Sequence, residues 1–418
     1  MGRILLTGLD WLNYYPRGLK QRATGGSYRQ WGCGRLKMAL SKAITHSRSF
    51  FSADAFLRRC IRAGILYLVF SIYQTPGAAY GAPFAYVTNA GSGNVSVINI
   101  ATNTVLTTIT VGSTPEQVAV TPNGLSAYVS NSGSNNVSVI ATASNTVVAE
   151  VLVGTSPIGV AITPKGAFVY VANFGSNNVS VIATASDTVV ATVPVGSGPA
   201  GVAITPNGVL AYVANFGSNN VSVIATASNT VIAEVPAGTN PTGVAITPNG
   251  AFVYVANNGS DTVSVIATAT NTVTATIPVG TGPAGGAITP NGLLAYVANF
   301  GSTSVSVIET ATNTVTTTIP VGQRPDFLTV SRDGASVFVP NQNSDTVSVI
   351  ATATNTVTAT IPVGANPTGI AATPADIPSI PTLSAGALGL LLAAMSAVLA
   401  LRIVKRQASP PPRPPREI

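Results

Sequence analysis

Two carboxylates occupy equivalent places in a repeated pattern and could act together in chemistry. Glu116 and Asp326 each directly follow a proline, and both belong to a series of seven positions spaced by 42 residues. The other five members of that series are uncharged: Ile158, Ala200, Thr242, Ala284 and Thr368. Two carboxylates held close together can bind Ca²⁺ or serve as a general acid and a general base. The alternative is that both charges face water.

Two residues next to Asp326 also break the repeat. Arg324 lies two positions before Asp326, and Phe327 replaces the glycine that is common at the following position. Arg324 is predicted to form a solvated ion pair with Asp326 or Glu116, a contact that stabilises a protein by ~0–1 kcal/mol. These four residues are one part of a candidate binding face.

Three phenylalanines supply the other part of that face. Phe174, Phe216 and Phe300 occupy one equivalent position in a polar loop of the repeat. Aromatic rings on the rim of a loop could stack on a sugar or anchor a protein partner. They could instead pack against the neighbouring repeat, and the sequence leaves both interpretations open.

Other kinds of active site are excluded by composition. The single histidine, His46, and both cysteines, Cys33 and Cys60, precede the repeats. The repeats therefore lack the usual ligands of zinc, copper or haem, and they lack a Ser-His or Cys-His nucleophile pair. No cofactor is predicted. Enzymatic activity would depend on carboxylates alone.

The elements that position these residues are set by an internal repeat. A Tyr-Val-x-Asn core ends at seven asparagines with a constant spacing of 42 residues, the last copy beginning with Phe338: Asn89, Asn131, Asn173, Asn215, Asn257, Asn299 and Asn341. Each copy contains four short runs rich in Val, Ile, Thr and Tyr, separated by turns rich in Pro, Asn and Gly. Four strands per ~40 residues predict one blade of a β-propeller.

The order of the strands predicts how the ring closes. We name the strands of a repeat A, B, C and D, so that A precedes the Pro-Asn-Gly turn and B contains the Tyr-Val-x-Asn core. The chain enters the array on a B strand near Phe84 and leaves it on an extra A strand near Gly369. That last A strand can complete the first blade as its innermost strand. The sequence thus predicts an all-β fold over residues 83–376, in which seven blades form one closed ring.

The repeat resembles a known family at this point. The segment Tyr86-Val87-Thr88-Asn89 is similar to the YVTN-type β-propeller repeat of bacterial and archaeal surface and periplasmic proteins. The resemblance implies the propeller fold and leaves function open, because such propellers include lactonase-like enzymes, nucleic-acid binders and surface proteins.

The charge of the predicted ring argues against nucleic acid as a partner. The whole chain has a formal net charge of +7, but its basic residues lie mostly outside the repeats. Between residues 84 and 376 there are ten acidic residues and only three basic ones, Lys165, Arg324 and Arg332. Phosphate contacts need clustered Lys or Arg, so we predict no nucleic-acid binding.

The segment before the ring is predicted to direct export. Within residues 38–82, Arg58, Arg59 and Arg62 precede an apolar run at 63–73 and a set of small residues that ends at Ala82. This order is typical of a secretory signal peptide, and the apolar run is shorter than the ~20 residues of a permanent span. Residues 1–37 form a basic leader without an interpretable pattern, and a start at Met38 would make them a start-site artefact.

The segment after the ring is predicted to hold the chain in a membrane. Residues 383–401 are uncharged and are followed by Arg402, Lys405 and Arg406, so a helix there would span the bilayer with a cytoplasmic C-terminus. With the preceding Ile-Pro-Thr-Leu at 380–383, residues 377–406 resemble the IPTL-type sorting signals of Gram-negative bacteria, which exosortase-like proteases process. The tryptophan usual after that motif is absent here, and a Pro-rich tail follows at 407–418.

These observations favour an exported, non-enzymatic propeller. It would face outward from the cell envelope or cell surface and bind a protein or a glycan. The resemblance implies the secretion machinery and an exosortase-like sorting protease as further partners. A lactonase-like hydrolase that uses Glu116 and Asp326 is the first alternative, and a periplasmic nucleic-acid-binding propeller is the second.

Overall fold

The computed structural model describes residues 83–374, which form seven four-stranded antiparallel sheets. Each sheet is one blade, with strands A to D in order from the axis outwards. Blade I contains β28 (Pro367–Ala372), β1 (Phe84–Asn89), β2 (Asn94–Asn99) and β3 (Thr104–Thr110). Blade II contains β4 (Pro115–Val120), β5 (Ser126–Asn131), β6 (Asn136–Ala141) and β7 (Thr146–Leu152). Blade III contains β8 (Pro157–Ile162), β9 (Phe168–Asn173), β10 (Asn178–Ala183) and β11 (Thr188–Pro194).

The remaining four blades repeat this pattern. Blade IV contains β12 (Pro199–Ile204), β13 (Leu210–Asn215), β14 (Asn220–Ala225) and β15 (Thr230–Pro236). Blade V contains β16 (Pro241–Ile246), β17 (Phe252–Asn257), β18 (Thr262–Ala267) and β19 (Thr272–Pro278). Blade VI contains β20 (Pro283–Ile288), β21 (Leu294–Asn299), β22 (Ser304–Glu309) and β23 (Thr314–Pro320). Blade VII contains β24 (Thr329–Val330), β25 (Ser336–Asn341), β26 (Thr346–Ala351) and β27 (Thr356–Pro362).

The predicted closure of the ring is confirmed. Strand β28 pairs antiparallel with β1, with Ala85 opposite Ala372 and Val87 opposite Ile370. Blade IV, made of consecutive strands, has the same register, with Val213 opposite Val202. The amide of Gly369 donates to the Thr88 hydroxyl at 2.8 Å, and the amide of Thr373 donates to the Phe84 carbonyl at 2.8 Å. The first and last strands therefore form one sheet.

The hydrophobic core lies between the blades. Seven separate clusters of buried side chains each join two neighbouring blades, so the ring has as many cores as interfaces. The cluster that joins blades VII and I contains Phe338 from one side and Ala85, Val87 and Ile370 from the other. Since every blade is packed on both faces, the C strands are buried at four consecutive positions in each copy, as in Val-Ser-Val-Ile at 221–224.

The asparagine of the repeat is a structural residue. Asn215 is fully buried, and its side-chain amide donates to Asn220 Oδ1 at 2.8 Å and to Ser222 Oγ at 2.9 Å on the next strand. The side chain thus joins strands B and C of the blade. Gly196, in the D–A connection between β11 and β12, leaves room for the asparagine side chain, because a Cβ at this position would lie 2.6 Å from Asn215 Nδ2.

The tyrosine of the repeat links neighbouring blades. Six tyrosine hydroxyls donate to an Asn or Asp 59 residues later, in the C–D turn of the next blade, as Tyr86 does to Asn145 Oδ1 at 2.8 Å. Burial raises the pKa of Tyr86 and of Tyr212 to about 12, which keeps these hydroxyls protonated as donors. In the seventh copy Phe338 has no hydroxyl. The acceptor it would meet, Asn103 Oδ1, is buried without a hydrogen-bond partner.

Restoring this missing bond should stabilise the ring. We expect Phe338→Tyr to raise the free energy of unfolding by about 1 kcal/mol, because it gives a buried acceptor its donor. Chemical denaturation of the wild type and the variant measures the change. Tyr296→Phe is the matched control, since it removes the equivalent bond to Asn355 (2.6 Å) and should destabilise the protein. An unchanged or lower stability of Phe338→Tyr would contradict this geometry.

Strand A of blade VII is shorter than the repeat predicts. The 42-residue spacing predicts a strand starting near residue 327, but β24 contains only Thr329 and Val330. Phe327 replaces the glycine found there in other blades and forms a parallel bridge with Gly369 of blade I. A Cβ on Gly285 of blade VI would lie 2.7 Å from the Phe327 Cα. The larger residue at this crowded position explains the local loss of pairing.

The predicted flanking segments lie outside the described residues. This holds for the leader at 1–37, the signal peptide at 38–82, the sorting motif and span within 377–406, and the tail at 407–418. Among residues 83–374 there is no helix long and apolar enough to cross a membrane.

Candidate functional site

Six of the seven residues of the predicted binding face lie on one side of the ring, and the seventh, Phe327, lines the channel cavity just below them. We call this side, formed by the B–C loops and the D–A connections, the mouth face. The opposite side, formed by the A–B hairpins and the C–D turns, is the terminal face, because the chain enters the ring there at residue 83 and leaves it at residue 374. The mouth face surrounds one end of the central channel, which the seven A strands line.

The two carboxylates lie on either side of blade I, close enough for the negative charge of Glu116 to affect Asp326. Asp326 is 7% exposed, so it does not face water. Its burial, followed by the negative charge of Glu116, raises the pKa of the Asp326 carboxyl well above its usual value. The Phe327 amide and the Arg324 charge oppose this shift without overcoming it. Ionisation of the Asp326 carboxyl is therefore energetically unfavourable in the folded protein.

Glu116 is half-buried and has one side-chain partner. The Ser132 hydroxyl donates to Glu116 Oε1 at 2.9 Å. Burial raises the pKa of Glu116, and this hydrogen bond lowers it in part. Between the two carboxylates lies Thr368, whose hydroxyl donates to the Glu116 carbonyl oxygen at 2.8 Å. This bond ties the mouth of blade I to that of blade II.

Arg324 makes a different contact from the one predicted. Its guanidinium carbon lies 4.1 Å from the centre of the Phe300 ring, in a cation–π arrangement rather than an ion pair with Asp326 or Glu116. Such a contact stabilises a protein by ~0.5–1 kcal/mol when it is exposed. Arg324 remains exposed at the edge of the mouth, so its charge is available to a partner.

The other two aromatic residues form a pair. The rings of Phe174 and Phe216, from blades III and IV, have centroids 6.0 Å apart and planes tilted by 55°. Both side chains are half-buried. The two rings therefore pack against each other between neighbouring blades, and each also leaves part of its surface exposed. The mouth face carries one aromatic pair over blades III and IV and one Arg–Phe pair over blades VI and VII.

The channel beneath the mouth is narrow. It holds a cavity of about 110 Å³, lined by backbone and by apolar side chains that include Val202, Val244 and Ile370. Glycines at the third position of the A strands allow this tight approach, since a Cβ on Gly369 would lie 2.6 Å from the Glu116 carbonyl oxygen. Pockets for small-molecule ligands usually measure ~300–1,000 Å³, so this cavity is too small for one.

The sequence analysis did not identify three hydroxyl residues that form hydrogen bonds to Glu116 at the mouth face. Thr88, Ser132 and Thr368 position the backbone and the side chain of Glu116. Small hydroxyl residues are frequent throughout the repeats, so nothing in the sequence marked these three. Within residues 83–374 no group of three or more potential metal-ligating side chains is present.

Comparison with known proteins supports the fold. The model that describes YNCE-like β-propellers matches residues 55–378. The solved structure of Kuenenia stuttgartiensis hydrazine synthase contains a chain that is 27% identical, with a TM-score of 0.61 over 66% of this chain and 93% of that one. A functionally unknown protein from Desulfotomaculum acetoxidans is 19% identical, with a TM-score of 0.62 over 69% of this chain and 98% of that one. No curated protein matches the sequence.

Proposed function

Because the chain belongs to the YNCE-like β-propeller family, we propose that it is an exported, non-enzymatic scaffold that binds a protein or a glycan through its mouth face. Its finer assignment to the YVTN type is part of the same proposal. The segments at 38–82 and 377–406 would export the ring and hold it in the cell envelope, with the ring outside and the C-terminus in the cytoplasm before any processing. Secretion machinery and an exosortase-like protease would act on these segments.

The shape of the mouth is the observation that carries this proposal. A cavity of about 110 Å³ leaves no room for a metabolite, whereas the Phe174–Phe216 and Arg324–Phe300 pairs provide apolar and cationic surface around its rim. Aromatic and arginine side chains contribute most to binding at protein surfaces. A surface of this kind fits a ligand that lies across the ring rather than one that enters it.

Removing the aromatic pair tests the proposed function. We expect Phe174→Ala/Phe216→Ala to weaken ligand binding roughly 10- to 30-fold, about 2 kcal/mol, because both rings lie in the proposed contact. The ligands are found on a glycan array and in fractionated envelope proteins, and affinities are then measured by titration. Phe168→Ala/Phe252→Ala is the matched control, since these phenylalanines lie on the terminal face. Equal losses in both double variants, or no ligand in either library, would contradict the proposal.

The site of action has its own test. Cell fractionation, combined with mass spectrometry of both termini of the mature chain, reports export and processing. Under the proposal the mature chain begins near residue 80 or 83 and is found in the envelope. A full-length chain in the cytoplasm would rule the exported role out.

A hydrolytic propeller is the second candidate, and one observation favours it. The negative charge of Glu116 contributes to the raised pKa of Asp326, and a carboxyl with a raised pKa can serve as a general acid. If the pair holds Ca²⁺ for catalysis, millimolar calcium should raise the melting temperature, and Glu116→Ala/Asp326→Ala should abolish the shift. The absence of a shift would remove the main support for this candidate.

A further inference from the structure

We propose that the terminal face of the ring is seated on the surface of a lipid bilayer. This inference builds on the proposed membrane span at 383–401 but adds an oriented contact that the span alone does not require. The chain enters at Pro83 and leaves at Pro374, and the two segments are joined there by hydrogen bonds between Phe84 and Thr373. Both chain ends thus leave the ring on the same face.

An arc of exposed apolar side chains lies on that face. Five consecutive blades, II to VI, each carry a large hydrophobic residue beside the A–B hairpin: Leu125 (49% exposed), Phe168 (39%), Val209 (55%), Phe252 (39%) and Leu293 (60%). Single exposed hydrophobic residues are common and need no explanation. Here one such residue, at one of two neighbouring repeat positions, lies beside the A–B hairpin of each of five adjacent blades, and together they place apolar surface around an arc of the terminal face; clustered apolar surface of this kind marks interaction sites.

The two remaining blades show where the arc ends. Blade VII carries Ala335 and Ser336 at the equivalent places, and blade I has no hairpin because the chain ends take its position. The arc therefore covers the ring except for the sector through which the chain passes towards the predicted span. A bilayer that holds the span would meet this face over most of its circumference.

The distribution of charged residues between the mouth face and the terminal face favours this orientation. Six of the nine carboxylates in residues 83–374 lie towards the mouth face, with Arg324 as their one basic neighbour, which gives −5: Glu116, Glu150, Glu234, Asp261, Asp326 and Asp345. The terminal face has Asp187, Glu309 and Asp333 against Lys165 and Arg332, which gives −1. An anionic membrane repels the first face and tolerates the second.

The short segment between the ring and the predicted span allows even weak apolar contacts to keep the terminal face on the membrane. Eight residues, 375–382, separate the last described residue from the predicted span. Fully extended, they reach at most about 28 Å, at ~3.5 Å per residue. The terminal face is thereby held near the membrane at a high effective concentration, so that modest apolar contacts can keep it seated.

A pair of tryptophan reporters tests the orientation. The mature chain, which begins near residue 80 or 83 under the proposed function and contains no tryptophan, is reconstituted into vesicles of phosphatidylethanolamine and phosphatidylglycerol that contain brominated lipid. Phe252→Trp on the terminal face should show a blue-shifted emission and strong quenching by the brominated chains. Phe216→Trp on the mouth face, whose ring is half-buried against Phe174, should not be quenched by the brominated chains. Equal signals from the two reporters would overturn the proposal.

A matched pair of charged variants separates contact with lipid from contact with protein. Val209→Asp should reduce the quenching of the reporter at position 252, whereas Val190→Asp, on an outer strand and equally exposed (54%), should leave it unchanged. A blue shift without quenching would show that a second copy or another segment of this chain covers the face, and would refute lipid contact. If carbonate extracts the chain from the vesicles, the proposed span fails. If the chain resists extraction but is not quenched, only the seating fails.

Discussion

Ile370→Asp is expected to unfold the ring or to lower its free energy of unfolding by more than about 3 kcal/mol, because it places an unpaired charge among the buried apolar side chains between blades VII and I. Ile370 is 7% exposed and lies in the cluster that joins blade VII to blade I through Phe338. It also pairs with Val87 across the junction of the first and last strands. The substitution therefore damages a blade interface and the closure of the ring at once.

Thermal unfolding followed by circular dichroism measures this effect. Leu152→Asp is the control, since Leu152 is an apolar residue of an outer strand with 78% exposure. A surface change of this kind alters stability by about 0.5 kcal/mol or less. A wild-type melting temperature for Ile370→Asp would mean that the last strand does not complete blade I.

Asp326→Asn is expected to stabilise the protein at neutral pH by at least about 1 kcal/mol, because it removes a buried charge that lacks full compensation. Burial and the charge of Glu116 raise the pKa of Asp326 in the folded state, so folding favours the protonated carboxyl. The stability that protonation supplies is complete below the unfolded-state pKa of ~3.9 and is lost as the pH rises through the higher folded-state value. The wild type should therefore become more stable as the pH falls from neutral towards 4.

Two variants check the assignment of this pH dependence. Glu116→Gln should shift the rise in stability to lower pH, since it removes the negative charge that contributes to the raised pKa of Asp326. Asp333→Asn should instead lower the stability at neutral pH, and this loss should disappear as the pH falls. Hydrogen bonds from Ser331 and from the Ala335 amide lower the pKa of Asp333, so its contribution is present at neutral pH and is lost in acid. A pH profile of Asp326→Asn that matches the wild type would contradict the buried carboxylate.

The fold could be predicted from the sequence because the repeat is exact. A constant spacing of 42 residues, with an orphan B strand at one end and an orphan A strand at the other, determines the number of blades and the way in which they close. The shortening of β24 was missed. Phe327 shows where the repeat is broken, but the crowding that follows depends on how closely Gly285 and Gly369 approach it.

The candidate site was predicted only in its location. Equivalence in the repeat placed Glu116 and Asp326 at one end of the channel. It gave no information on burial, so solvated charges were considered for a residue that is 7% exposed. The contact of Arg324 with Phe300 was also missed, because it joins a D–A connection to a B–C loop of another blade. Contacts between loops of different blades depend on the twist of the ring, which the repeat does not contain.

The ring itself is the premise of the proposed function, of the lipid-seated face and of both large stability effects. Its most direct test is the coupling between positions 338 and 103, which are far apart in sequence and meet only where blade VII packs on blade I. The double-mutant cycle combines Phe338→Tyr with Asn103→Gly, since glycine keeps the backbone φ of 54° at Asn103 without strain. We predict a gain of about 1 kcal/mol from Phe338→Tyr in the wild type and none in the Asn103→Gly background. Equal effects of Phe338→Tyr in both backgrounds would show that the two ends of the array do not meet.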